Sequence, residues 1–241
     1  MKYALYYWPQ IQGRGEFVRL ALEECGAEYV DVAREPSAGG IEAMLRLLGD
    51  ESPAHRPFAP PFLRAGDLLI GQSANILDFL GSRHALAPTS EAGRRWTLQL
   101  QLTLCDLVDE VHDTHHPIAG SLYYEDQKPE AERRAADFVR QRLPKFLDYF
   151  EQVLQHNTAG DAHLVGGELS YADLSLFQVV AGLQYAFPHA LARLAATHAR
   201  IMALHEAVQA RPRIRAYLAS PRRVPFNQQG IFRHYPELDP P

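Results

Sequence analysis

Cysteine is scarce in this chain: Cys25 and Cys105 are the only two among 241 residues, and no Cys-x-x-Cys pair occurs. That excludes a disulfide framework and a dithiol redox site as organising features. Positive charge is also short, with 24 lysines and arginines against 29 aspartates and glutamates and a net charge of -5. Affinity for phosphate backbones comes chiefly from clustered Lys and Arg, and no basic stripe is present, so general nucleic-acid binding is excluded. No apolar run approaches the roughly 18–20 residues that cross a bilayer. The opening MKYALYYWPQIQGRG is too aromatic and too soon polar for a signal peptide. Internal repeats and low-complexity tracts are missing as well. These absences lead us to expect a cytoplasmic protein that engages neither membrane nor nucleic acid. What is present, 46% hydrophobic and 22% charged residues, is the balance of an ordinary globular protein. The length suits two domains of about 100–150 residues each.

Along the chain, KYALYYW is aromatic and apolar, long enough for a strand and too short for a helix. GRGEFVRLALEECG follows with Phe17, Val18, Leu20, Ala21 and Leu22 at helical spacing and Gly26 as a stop. AEYVDVA reads as a second strand and residues 41–48 as a short amphipathic helix, while 49–61 is irregular. PFLRAGDLLI predicts two short strands turned by a three-residue Ala-Gly-Asp loop, and QSANILDFLGSRH a helix ending near Gly81. This order is an α/β unit with a mixed sheet. After residue 90 the texture is all-helical: two long helices over 91–116 and 129–156, then shorter ones over 170–186, 197–210 and 212–219. Ser170 and Asp173 form a capping box for the first of the shorter helices. The Pro-broken tail carries Phe226, Phe232 and Tyr235, which should dock onto the body of the protein.

Three motifs, YYWP…GRGEFVRLAL, PPFL…GDLLIGQSANIL and LVGGELSYADLSL, fall in an order and spacing that resemble the cytosolic glutathione S-transferases, across nearly the whole chain. The likeness is nearest to the tyrosine-type classes (alpha, mu, pi, sigma) and, through its tail, to a bacterial branch. It implies a thioredoxin-like N-terminal domain over residues 1–84 and an α-helical C-terminal domain over 90–241 that holds a hydrophobic-substrate site and the tail. It also implies a homodimer that conjugates glutathione, as co-substrate, to hydrophobic electrophiles without a metal. Alternatives on the same scaffold are a non-catalytic ligand-binding protein and a glutathione-dependent isomerase or peroxidase. A cysteine-based thiol transferase is disfavoured, since YYWPQIQG offers no Cys.

By resemblance, Tyr7 is the catalytic tyrosine. A thiol with pKa about 8.5 is only slightly ionised at neutral pH, and a hydrogen-bond donor to its sulfur raises the reactive fraction. Tyr6 falls on the opposite strand face and Tyr3 on the same face but deeper. Arg14 matches an arginine at the start of the first helix. A cation there opposes the helix dipole, so a compensating carboxylate is expected. The loop from Tyr7 to Arg14 is one residue longer than in typical tyrosine-type members. Pro61 takes the place of a cis-proline, for which X-Pro is the natural bond, and presents the preceding residue to the cysteinyl part of glutathione. That residue is Pro60, which has no N–H to give. Gln72 and Ser73 open the next helix, where free N–H groups favour an anion, and the resemblance assigns them to the γ-glutamyl end. Asp113 is implied to reach the γ-glutamyl ammonium of a partner subunit, with Asp109 and Asp106 as rivals. Trp8, Ile11, Tyr123 and Tyr124 are the implied walls of the electrophile pocket, with the tail as a possible lid. VHDTHHP places His112 and His116 on one helical face beside His115. Asp stands where a metallopeptidase motif has Glu, a third ligand is not identifiable and Pro117 ends the helix, so these read as neutral histidines packed beside the cleft. Cys25 reads as core.

Overall fold

A four-stranded sheet in the order β2-β1-β3-β4 organises the first third of the chain. The computed structural model describes residues 2–51 and 54–241. β1 (Tyr3–Tyr6) pairs in parallel with β2 (Tyr29–Asp31) and antiparallel with β3 (Phe62–Ala65), which turns back into β4 (Leu68–Gly71). Helices α1 (Gly15–Glu24), α2 (Gly40–Gly49) and α3 (Ser73–Arg83) complete the unit. Alternation along β1 decides what each face buries. Tyr3 and Leu5 join the main core with Phe17, Val18 and Leu77, while Tyr6 joins Val32, Met44 and Phe62 on the other side. Tyr6 stacks on Phe62 with ring centroids 4.7 Å apart, as expected of a core residue.

The β3–β4 turn is shorter than the sequence suggested. Ala65 pairs directly with Leu68, leaving a two-residue loop, Gly66-Asp67. Gly66 sits at φ +62, the left-handed conformation a tight hairpin asks of its first turn residue and that glycine adopts at little cost. α3 runs to Arg83, past the stop expected near Gly81.

The helical remainder consists of α4 (Glu91–Asp113), α5 (Lys128–Asp137), α6 (Leu143–His156), α7 (Tyr171–Ala186), α8 (Pro188–Ala195), α9 (Ala199–Ala210) and α10 (Pro212–Leu218). The helix expected over 129–156 is interrupted by a π turn at Phe138–Arg142, where the Leu143 N–H donates to the Phe138 carbonyl. Pro144 explains it: a proline ring clashes with the carbonyl four residues back, and widening the preceding turn relieves that clash. α8 was not foreseen. Its first N–H groups are capped from the far end of the chain, where the Asp239 carboxylate accepts from His189 at 2.7 Å and Ala190 at 3.0 Å. At the start of α7 the Asp173 carboxylate accepts from the Ser170 N–H at 2.7 Å, as the capping box required, and also from the Leu164 N–H.

α1 is buried on nearly every side, packed against the sheet, α3, α7 and α10. It therefore carries its charges inside a network. Arg19 pairs with Glu16 and Asp31; Glu16 accepts from the Tyr217 hydroxyl at 2.6 Å and from Arg223; Arg223 also donates to Gln178, which donates to Gln12. This network ties the loop ahead of α1 to α7, α10 and the tail. No described helix is long and apolar enough to cross a membrane.

Candidate functional site

Tyr7 follows β1 directly and lies beneath the loop that leads into α1, its ring against Gly13 and Gly15. It is 5% exposed, and its hydroxyl oxygen accepts a hydrogen bond from the Arg14 backbone N–H at 2.9 Å. The glycines on either side of Arg14 make that approach possible. A Cβ on Gly13, at φ +46, would lie 2.0 Å from the phenol oxygen, and one on Gly15 would lie 2.4 Å from the ring. Neither glycine was singled out from the sequence; the available signal was the spelling Gly-Arg-Gly around a residue that had to meet a buried ring. Burial pushes the Tyr7 pKa above the ordinary phenol value, opposed by the Arg14 N–H and by the Arg14 and Arg19 cations. The ring is thus neutral at pH 7, and its hydroxyl, already accepting from Arg14, has its own proton to donate.

Arg14 finds the carboxylate its position called for: its guanidinium pairs with Asp109 of α4. Ser73 lies beside it, its hydroxyl donating to the Arg14 carbonyl at 3.4 Å. Gln72 precedes α3 at φ 68, ψ 123, a conformation a non-glycine residue rarely holds, and its side chain does not cap the helix. The first N–H groups of α3 therefore receive no side-chain cap from Gln72. The Pro60–Pro61 peptide bond is cis. Tyr7, Arg14, Ser73 and Asp109, from the end of β1, the α1 loop, α3 and α4, are thereby linked.

Asp113 stands apart from that group within the chain. It ends α4, its side chain is 51% exposed, and its nearest polar partner is the His112 imidazole at 3.5 Å. Of the expected pocket walls, Trp8 is exposed, Ile11 half-buried and Tyr123 78% exposed. Tyr124 departs from the expectation of an open wall. It is 3% exposed, its ring is stacked on Tyr235 at 3.8 Å, and its hydroxyl donates to Glu237 at 2.9 Å. Tyr235 and Glu237 of the tail cover it.

The tail docks along its whole length. Phe226 stacks on Tyr185 at 5.0 Å, and Phe232 fills the space over Gly182, where a Cβ would come within 2.3 Å of its ring. Asn227 donates to the Gln10 carbonyl at 2.8 Å, and Gln12 donates to the Val224 carbonyl. The tail therefore reaches the Tyr7 loop and borders a groove of about 670 Å³ against the segment after α4. His112 and His116 do share a face, their rings stacked 5.1 Å apart, with His115 turned inward and buried.

Comparison with known proteins agrees with this layout. The family described as glutathione S-transferase, C-terminal domain, matches residues 112–221. Glutathione S-transferase P of Bos taurus is 30% identical over 235 residues, covering 95% of this chain and 98% of the relative. A glutathione S-transferase of Plasmodium falciparum is 26% identical over 192 residues, covering 78% and 82%. Among solved structures, the Pi-class glutathione S-transferase of Onchocerca volvulus superposes with a TM-score of 0.70 at 23% identity over 90% of this chain and 92% of its own. NaGST-2 does so with a TM-score of 0.66 at 19% identity over 94% and 98%. At such identities the solved structures speak for the fold alone.

Proposed function

Since the chain belongs to the glutathione S-transferase family, we propose that it conjugates the thiolate of glutathione to hydrophobic electrophiles at a site centred on Tyr7. The observation that carries this reading is the hydrogen bond from the Arg14 N–H to the Tyr7 hydroxyl oxygen. With one lone pair occupied, the phenol is oriented and polarised to donate its proton to sulfur. A thiolate that accepts this bond is favoured over the thiol, whose free pKa is about 8.5. The thiol proton passes to solvent, sulfur bonds to the electrophilic carbon, and a leaving group departs with its electron pair where one is present.

The remaining assignments follow the chemistry of each position. The uncapped N–H groups at the start of α3, with Gln72 and Ser73, suit the γ-glutamyl carboxylate. The Pro60 carbonyl can accept from the cysteinyl N–H, but Pro60 can return no bond, so the cysteinyl carbonyl must find water or another donor. Arg14, neutralised by Asp109, supports Tyr7 through its backbone. Trp8, Ile11 and Tyr123 line the acceptor side. Residues 1–84 would serve as the glutathione-binding domain and 90–241 as the domain that completes the acceptor site. A homodimer fits the exposed Phe58, Leu68 and Leu102, of which Phe58 is 96% exposed. Within it, exposed Asp113 would serve the partner's glutathione, with Asp106 as the competing carboxylate, since Asp109 is engaged by Arg14. The buried phenol supports reading the chain as a tyrosine-type member; a bacterial branch rests on the tail alone. A cytoplasmic location fits this substrate.

Titration calorimetry with glutathione, paired with conjugation of 1-chloro-2,4-dinitrobenzene, tests the reading. Millimolar or tighter binding with conjugation that falls in Tyr7→Phe is expected. Absence of both heat and conjugation at millimolar glutathione overturns it.

A further inference from the structure

The groove between the tail and the segment after α4 has chemistry that thiolate activation does not use. Its lining includes His116, Tyr123, Gln228, Gln229, Arg233 and Tyr235. The Arg233 guanidinium is held by two carbonyls, Gly230 at 2.7 Å and Gln229 at 3.3 Å. Carbonyls fix its direction without cancelling its charge, and among the described residues no carboxylate forms an ion pair with it. Glu125, also on the lining, is exposed and makes no such pair.

The neighbouring histidines leave that cation uncompensated. His115 Nε2 lies 2.8 Å from the Ile231 carbonyl, so this nitrogen must carry the hydrogen. His115 Nδ1 is then a lone pair and accepts from Nδ1–H of His116, with which it is in contact. Each ring thus commits one N–H to a partner. Burial first, and the Arg233 charge with it, pushes the His116 pKa down to about 4 and holds His115 at about 3. The groove thus presents a directed guanidinium on a lining that also carries the aromatic rings of Tyr123 and Tyr235. His112, one helical turn (about 5 Å) past the Asp109 that holds Arg14, feels both Arg14 and Arg233. The groove-lining Gln228 and Gln229 directly follow Asn227, which donates to the Gln10 carbonyl in the loop after Tyr7.

A guanidinium fork matches the geometry of a carboxylate, and aromatic walls match a planar ring. We propose that this groove binds the acceptor and selects aromatic electrophiles bearing an anionic group, with Arg233 as the specificity-determining residue; the acceptor role rests on the conjugation reading above. For 4-chloro-3,5-dinitrobenzoate, the thiolate sulfur bonds to the chlorine-bearing ring carbon, the C–Cl bond breaks with its electron pair to give chloride, and the carboxylate remains unchanged on Arg233.

The test compares 4-chloro-3,5-dinitrobenzoate with its methyl ester, which keeps the ring and leaving group and removes the charge. Arg233→Gln should raise KM for the acid about tenfold while leaving kcat, and KM for the ester, within about twofold; Arg233→Lys should restore most of the preference. In parallel, binding of unreactive 3,5-dinitrobenzoate to glutathione-free protein, read by calorimetry, should weaken about tenfold in Arg233→Gln. Equal losses for acid and ester, or an unchanged KM for the acid with unchanged dinitrobenzoate binding, overturn the proposal. Arg233-dependent binding of dinitrobenzoate in a protein that conjugates neither compound supports the anion groove and removes the conjugation reading instead.

Discussion

The backbone N–H of Arg14 meets the hydroxyl oxygen of Tyr7 at 2.9 Å, and the two residues are brought together by the glycines that flank Arg14. The bond uses a main-chain group, so among substitutions at Arg14 only proline, which has no N–H, removes it directly. Its geometry depends on the loop, in which Gly13 holds φ +46.

Substitutions on either side of this bond should separate its parts. Tyr7→Phe keeps the packing and removes the donor, and should lower kcat about 10- to 100-fold while the pKa of bound glutathione thiol returns toward about 8.5. Gly13→Ala should give a loss of similar size without removing the phenol, because its Cβ would stand 2.0 Å from that oxygen at a backbone angle alanine disfavours. Thiolate absorbance of the glutathione complex, followed against pH, checks both. A Tyr7→Phe enzyme with an unshifted thiol titration would remove the phenol from the chemistry.

Pro60 offers a gain rather than a loss. Replacing it with Leu supplies an N–H where the cysteinyl carbonyl of glutathione is expected, and a buried carbonyl that gains its partner is stabilised by about 1–3 kcal/mol. Glutathione should bind roughly tenfold tighter by calorimetry, since about 1.4 kcal/mol is one decade. Unchanged affinity would show that water already fills that place.

Elements whose causes lie within a few residues were legible in the sequence. Phe17 to Leu22 announce α1 by their spacing, and Ser170 with Asp173 announces the start of α7. The mixed sheet followed from strand order, and the family from three motifs. Features whose causes lie far along the chain were not. α8 is capped by Asp239, and Tyr124 is covered by Tyr235 and Glu237, pairings no local pattern encodes. The π turn was in principle readable, since Pro144 inside a helical pattern demands some departure from it. The tie between Arg14 and Asp109 lay between: the need for a carboxylate was visible, and its identity required the approach of α4 to α1.

The buried network around α1 should govern stability. Tyr217→Phe removes one donor from Glu16, which has no solvent to replace it, and should cost about 1–3 kcal/mol. Glu16→Leu, which leaves Arg19 and Arg223 without this carboxylate, should cost more, about 3–5 kcal/mol. Urea unfolding of the pair checks the order; a Glu16→Leu protein no less stable than Tyr217→Phe would contradict it.

Asp239→Ala tests whether the tail is structural. It strips two main-chain bonds from the first turn of α8, a loss of about 1 kcal/mol, which for a chain of this size lowers Tm by about 2–4 °C. Conjugation kinetics measured well below Tm should be unaltered, because Asp239 touches α8 and not the groove. A large change in KM without a change in Tm would instead make the end of the tail a lid.

Acid sensitivity should trace in part to His115. In the folded protein its ring is held neutral down to about 3, chiefly by burial and further by Arg233, His112 and His116 around it, against an ordinary value of 6.5 in the unfolded chain. Between those values the unfolded state binds the additional proton, so stability is fully present above the unfolded value and is lost progressively as pH falls from there toward the folded value. The slope approaches about 1.4 kcal/mol per pH unit, which amounts to about 2 kcal/mol between pH 7 and pH 5. His115→Gln keeps an amide donor for the Ile231 carbonyl and cannot titrate, so its urea midpoint should vary less over the same range, even if it starts lower at pH 7. Equal pH slopes for the two proteins would show that His115 is protonated, or exposed, in the native state.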